Sequence, residues 1–219
     1  MDGQIRGLLI GVLALLGVAV WAFPQWYPLV NRQSVVVAFP GLELEAQADF
    51  LLLPPAVRQA YQELREGNNR NPPQPEVALA LVRARLLTED NPAPPELGPF
   101  QLPPGSSILR RGTFLNNREP YRGAEGGVLI YQLPDTSTYL RLEDFRTTRA
   151  PDLRIVLTRN PDPYDPQGVR VDYIDLGPLV YSSGNQNYAI PRGVDFSQYP
   201  TLALYSPSLN FVISSATLR

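Results

Sequence analysis

From about residue 106 onward, apolar residues recur at every second position. Leu153, Ile155 and Leu157 alternate with Arg154, Val156 and Thr158. Val169, Val171 and Tyr173 alternate with Arg170 and Asp172, and Leu209, Phe211 and Ile213 with Asn210, Val212 and Ser214. A period of two is that of a strand with one buried face. The same reading places strands at Gly112–Asn116, Val128–Gln132, Tyr139–Phe145, Asn187–Ile190 and Thr201–Tyr205. Turn signals separate these runs: Pro134-Asp135, Asn160-Pro161-Asp162-Pro163, Gly177-Pro178, Ser183-Gly184-Asn185 and Pro191-Arg192-Gly193. About eight short strands with regular turns predict a mainly β chain whose C-terminal domain is an antiparallel β-sandwich or barrel.

The pattern upstream is different. "PPAVRQAYQELREGN" opens on Pro54-Pro55 and closes on Gly67, and Val57, Tyr61 and Leu64 share one helical face. "PEVALALVRARLL" opens on Pro75, with Val77, Leu81 and the Ala84/Leu87 region on one side. Two helices of this length are too short to be stable alone and must pack on each other or on the sandwich. A short strand-like run, "SVVVAF", precedes them, and the Pro-rich stretch "TEDNPAPPELGPFQLPPG" follows as an extended spacer. At the N-terminus, Gly7–Phe23 is uncharged and apolar, at the short end of the length that spans a bilayer. Trp21, Trp26 and Tyr27 suit a membrane–water interface. The run reads as an uncleaved transmembrane anchor. A cleaved signal peptide is the competing reading, with Val20-Trp21-Ala22 as a poor cleavage pattern. Both place the rest of the chain outside the cytoplasm, at a membrane in the first case. The expected organisation is a membrane anchor over 1–30, a helical hairpin and spacer over 31–97, and the sandwich over 98–219.

Composition removes most catalytic chemistry. The chain has no Cys and no His, and all 19 basic residues are Arg. That excludes thiol nucleophiles, His-based triads, ordinary zinc sites and Schiff-base lysines. Met1 is the sole methionine, so the usual haem ligands are missing as well. Carboxylates, hydroxyls and oxygen-ligated cations remain. The net charge is −2 with no basic patch, which argues against nucleic acid as a partner. Gly (16) and Pro (24) favour turns over long helices.

Several motifs occur in a fixed order: "GTF" (112–114), "LRLEDF" (140–145), "PDLRIVLT" (151–158), "LGPL" (176–179), "GNQNYAIP" (184–191) and a last strand ending "ATL" (216–218). In this order, over residues 106–219, they resemble the DM-thirteen, or "electron transfer DM", domain family. That family is found beside DOMON domains in animal Skeletor-type proteins and alone in bacterial membrane-anchored proteins. The resemblance implies a β-sandwich and an extracytoplasmic redox role resting on a Cys in the penultimate strand. Here Tyr205 stands where that Cys is expected, within "TLALYSPSLNF". No thiol can act in this chain, and Tyr205 is expected to pack as an aromatic on a half-buried sheet face.

The candidate site residues cluster in two motifs. Glu143 and Asp144 are adjacent, with Arg141 and Asp152 near them in sequence. Strand alternation puts Glu143 on one face with Arg141 and Tyr139, and Asp144 on the apolar face with Leu142. Two neighbours on one strand cannot form a facing acid–base pair, so an ionic or capping role is expected. A glycan hydrolase using Glu143 or Asp144 with Asp152 is the enzymatic alternative. In "GNQNYAIP", Gly184 can supply a positive φ, Asn185 and Asn187 can satisfy local backbone groups, and Tyr188 can reach a backbone carbonyl. With Gln186 the motif could instead line an amide-rich ligand cleft. Asp162 and Asp165 are thin as a calcium site, and Arg110-Arg111 with Arg118/Arg122 read as a mixed surface. The expected function is a non-enzymatic binding or assembly module, with no catalytic residue, metal or cofactor and with a cell-envelope partner. A redox component with a non-covalent cofactor is the alternative.

Overall fold

The computed structural model describes residues 37–68, 72–87, 101–114, 119–161 and 166–219, with backbone alone at 166–168. Among the described residues eight strands form two antiparallel four-stranded sheets. The strands are β1 (Ser107–Thr113), β2 (Ala124–Gln132), β3 (Thr138–Thr147), β4 (Arg154–Thr158), β5 (Tyr173–Pro178), β6 (Gln186–Ile190), β7 (Thr201–Ser206) and β8 (Phe211–Thr217). The first sheet runs β1-β2-β3-β6 and the second β5-β4-β7-β8. The chain is thus mainly β, with two antiparallel sheets arranged as in a β-sandwich.

The inward faces carry the alternating residues. Val128, Ile130, Leu140 and Leu142 of the first sheet meet Ile155, Leu157, Leu202, Leu204 and Ile213 of the second, all buried. At one edge the sheets join. Arg111 and Arg219 exchange backbone hydrogen bonds of 2.8 Å in both directions, and Phe114 bridges to Ala216. The second sheet is buried on its outer face too, where Val156, Val169, Ala203, Tyr205 and Val212 form a small separate core.

That outer core corrects one expectation. Val169, Val171 and Tyr173 do not lie on one strand. Pro166–Val171 is a short helix, α4, and β5 begins only at Tyr173. Pro166 can open a helix, since its missing N–H would be unpaired there anyway. The helical turn drops Val169 onto the sheet and leaves Val171 85% exposed. Three alternating residues are too few to separate a period of two from one helical turn.

Upstream, the described residues hold three helices, α1 (Leu44–Leu52), α2 (Pro55–Glu66) and α3 (Pro75–Leu86). α2 and α3 were expected, with a Pro at the start of each. Gly67 closes α2 at φ +79°, a conformation open to Gly at little cost. α1 was not expected, because its sequence is apolar on two sides: Ala46 and Phe50 face inward while Leu44, Leu51 and Leu52 stay exposed. Its buried Gln47 accepts from the Phe39 amide and donates to the Phe39 and Leu42 carbonyls, at 2.8–2.9 Å. The strand-like run at 34–39 begins outside the described residues, and from Val37 to Phe39 it is not a strand.

Residues 38–219 form one compact unit. Its helices share an apolar core with the sandwich. Tyr61 of α2 lies 5.9 Å from Tyr121, and Tyr121 lies 6.4 Å from Phe211 of β8, between ring centroids. The Arg122 guanidinium sits 4.0 Å above the Phe211 ring. Among the described residues no helix is long and apolar enough to cross a membrane. The expected anchor, Gly7–Phe23, lies outside the described residues, as does the Asp162/Asp165 loop.

Candidate functional site

The sequence motifs converge on β3, and β3 is irregular where they meet. Arg146 pairs with Glu125 and Glu143 with Gly127, so Asp144 and Phe145 together oppose Gly126 alone. This is a β-bulge, with one extra residue on β3. Asp144 takes φ +48° and Gly126 φ +110°. A Cβ on Gly126 would collide with the Glu143 carbonyl oxygen, so the bulge is built around a residue that has none.

The bulge overturns the face assignment drawn from alternation. Leu140 and Leu142 point inward, the extra residue resets the phase, and Phe145 and Thr147 point inward next. Asp144 is therefore exposed and not on the apolar face. It needs no buried counter-ion. Its backbone N–H donates to Asn185 Oδ1 at 2.9 Å.

On the outer face of the first sheet, strand register aligns Arg111, Leu129, Arg141 and Asn187. Arg141 is 4% exposed. Its Nε donates to Glu143 Oε1 at 3.1 Å and its Nη1 to Asn187 Oδ1 at 3.5 Å. Beside it Tyr131 and Tyr139 stack at 5.9 Å. Burial pushes the Tyr131 phenol up, partly offset by the Arg141 charge. Glu143 thus belongs to an ion pair on the sheet face, and its nearest charge is a cation.

The second motif divides between the two faces. Gln186 and Tyr188 point into the sandwich and Asn187 points out. Tyr188 does not reach a backbone carbonyl. Its hydroxyl accepts from the Val180 amide at 3.1 Å and donates to Gln186 Oε1 at 2.8 Å. Gln186 in turn donates from Nε2 to the Tyr181 carbonyl at 2.8 Å and accepts from the Tyr181 amide at 3.2 Å. The network secures the 180–186 connection to the sheet and is not arranged as an open cleft. Gly184 takes φ +88°, as expected for this turn. Asn185 and Asn187 both bond across to β3.

Tyr205 lies on the other sheet, 2% exposed. Its hydroxyl donates to Asn210 Oδ1 at 2.8 Å, and Tyr173 meets its ring edge-on at 5.8 Å. Burial raises its pKa, with the Tyr173 phenol adding to the shift and Arg170 opposing it.

Asp152 belongs to neither group. It sits in a turn at φ +49°, 3.8 Å from Arg154, which bonds Asp175 at 2.7 Å. It lines a cleft of about 580 Å³ that Glu143 and Asp144 do not line. One wall is Ala80, Ala84 and Leu87 at the end of α3, and the other is the 147–153 segment with Pro178, Leu179 and Ser182. No motif announced this cleft. It exists because α3 turns small alanines toward the sandwich, and only the packing of α3 brings them there. Among the described residues no group of three Asp or Glu could hold a metal ion.

The family model described as Electron transfer DM13 matches residues 115–218, and over that stretch the chain resembles this family. The match spans β2 to β8 and just under half of the chain. No curated protein and no solved structure matches the chain.

Proposed function

We propose that this chain is a non-enzymatic binding and assembly module of an electron-transfer-related type. In this reading the apolar run at 7–23 holds it to a membrane, and the DM13-like domain sits outside the cytoplasm facing a cell-envelope partner. The observation that carries the reading is the family match over 115–218. Two features support the absence of catalysis. The only paired carboxylate of the main motif, Glu143, is engaged by Arg141, and Asp152 lies elsewhere with Arg154 as its ion-pair partner.

The family description favours a second reading, a redox component. With Tyr205 where the family Cys is expected and no Cys in the chain, such a component would carry its electrons on a non-covalent cofactor. One experiment separates the two. Full-length protein extracted from its native membrane is examined by UV–visible spectroscopy and voltammetry, with a denatured extract alongside to release any cofactor. A flat spectrum without a reversible wave is expected for the binding module, and a visible band with a wave would replace it by the redox component. Protease treatment of intact and permeabilised cells tests placement. Digestion of the C-terminal domain only after permeabilising the inner membrane would overturn the extracytoplasmic assignment.

A further inference from the structure

The cleft between α3 and the sandwich is a built feature. The 147–153 wall is pinned at both ends. The Thr147 amide donates to the Ser182 carbonyl at 2.9 Å, and the Leu179 amide to the Leu153 carbonyl at 2.8 Å. Between them, the Ser206 hydroxyl donates to the Pro151 carbonyl at 2.7 Å. The Gly123 carbonyl accepts from the Thr148 amide and from the hydroxyls of Thr147 and Thr148, at 3.0–3.2 Å. The opposite wall is held by Arg83, whose Nε and Nη2 bond Glu43 and whose Nη2 also reaches the Gly41 carbonyl at 3.0 Å. A volume of about 580 Å³ lies within the range that small-molecule sites occupy.

The lining states what fits. Its body is aliphatic: Ala80, Ala84, Ala150, Leu153, Pro178 and Leu179. Its charges are of both signs: Arg83 is paired with Glu43 from outside the cleft, Asp152 lies 3.8 Å from Arg154, which bonds Asp175 more closely, and Arg149 is the third. A charged ligand of either sign would lose its water and meet a like charge as well as an opposite one, since Arg149 and Asp152 both line the cleft. Arg149 and Ser182 nevertheless line the walls with side chains that carry N–H and O–H groups. A ligand carrying an acceptor would be oriented by them.

We propose that this cleft binds an uncharged, apolar small molecule that carries a carbonyl-type hydrogen-bond acceptor. The proposal is independent of any redox role and of the membrane anchor. Its test uses three naphthalene probes of similar size: 2-acetylnaphthalene, neutral with a carbonyl; 2-ethylnaphthalene, neutral without one; and 2-naphthoate, an anion. Each is titrated by equilibrium dialysis into full-length protein in dilute detergent. The Ala84→Trp variant serves as the blank, so partition into micelles cancels. The expected result is saturable binding of 2-acetylnaphthalene to the wild type, with 2-ethylnaphthalene at least about fivefold weaker, as one lost hydrogen bond implies, and 2-naphthoate weaker too, because its charge would lose its water in a cleft of mixed charge. A second reading does not depend on the variant's folding. Methyl resonances of Ala80, Ala84 and Leu179 in the wild-type protein should shift with 2-acetylnaphthalene, while those of Ile130 and Val212 stay still. Absence of saturable binding, equal binding by Ala84→Trp, or tightest binding of 2-naphthoate would each overturn the proposal.

Discussion

The backbone amide of Asp144 donates to the side-chain oxygen of Asn185, 2.9 Å away and on a different strand connection. Where β3 bulges, its ladder partner is lost, and an amide side chain from the β6 turn takes that place. Asn185→Ala should therefore lower stability by about 1 kcal/mol, the usual worth of a hydrogen bond of this kind. Urea unfolding with an unchanged m-value would check it. Asp144→Gly should be tolerated to within about 0.5 kcal/mol, because Gly adopts a positive φ without strain.

Gly126 faces the same bulge. It combines φ +110° with a position where a Cβ would strike the Glu143 carbonyl. Gly126→Ala should cost about 3 kcal/mol, since backbone and not a flexible side chain would have to move. In a domain of this size that corresponds to a drop of roughly 6–12 °C in Tm. Gly127→Ala, where a Cβ would meet nothing within 4 Å, is the matched control and should change Tm little.

Tyr121 couples the helices to the sandwich through its ring contacts with Tyr61 and Phe211. Tyr121→Ala should cost about 3–5 kcal/mol, as expected for removing a large buried aromatic. Helical far-UV and aromatic near-UV signals should melt together in the wild type. Separate transitions would show that the helices and the sandwich unfold independently.

The same residue sets an alkaline limit. Burial, reinforced by the nearby Glu119 carboxylate, pushes the Tyr121 phenol up to about 12. A group whose folded pKa lies above its unfolded value adds stability below the unfolded pKa and loses it as pH rises through the folded one. Stability should therefore fall between about pH 10, the ordinary tyrosine value, and pH 12. Tyr121→Phe should make that limb less steep in a pH series of thermal melts, the remainder coming from Tyr61, Tyr188 and Tyr205, whose phenols burial also pushes up.

Tyr205 donates to Asn210 beneath the short helix that carries Val169. Tyr205→Phe should lose about 1 kcal/mol with the hydrogen bond. Tyr205→Cys should lose about 2–4 kcal/mol through the cavity it opens. The introduced thiol should react slowly with a maleimide in the folded protein and quickly after denaturation, because position 205 is buried.

Much of the β architecture follows from local pattern. Alternation marks the cores of β2, β3, β4, β6, β7 and β8, because a strand with one wet face must alternate to bury the other. Pro54-Pro55, Pro75 and Gly67 mark the two longer described helices, because a missing N–H is harmless at a helix start and a positive φ suits Gly at its end. The motif order is also sufficient to indicate the DM13 resemblance. Strand pairing, however, depends on contacts between residues far apart in sequence. Alternation along β3 cannot reveal the extra residue that turns Asp144 outward, since the bulge arises from the pairing with Gly126. α1 escapes a periodicity reading because it is apolar on two faces. The Arg141–Glu143–Asn187 cluster needs the β3–β6 register, and the Asp152 cleft needs α3 packed against the sandwich. Period, turn and composition are local properties of the chain. The site and its neighbours are properties of residues that only tertiary packing brings within a few ångströms.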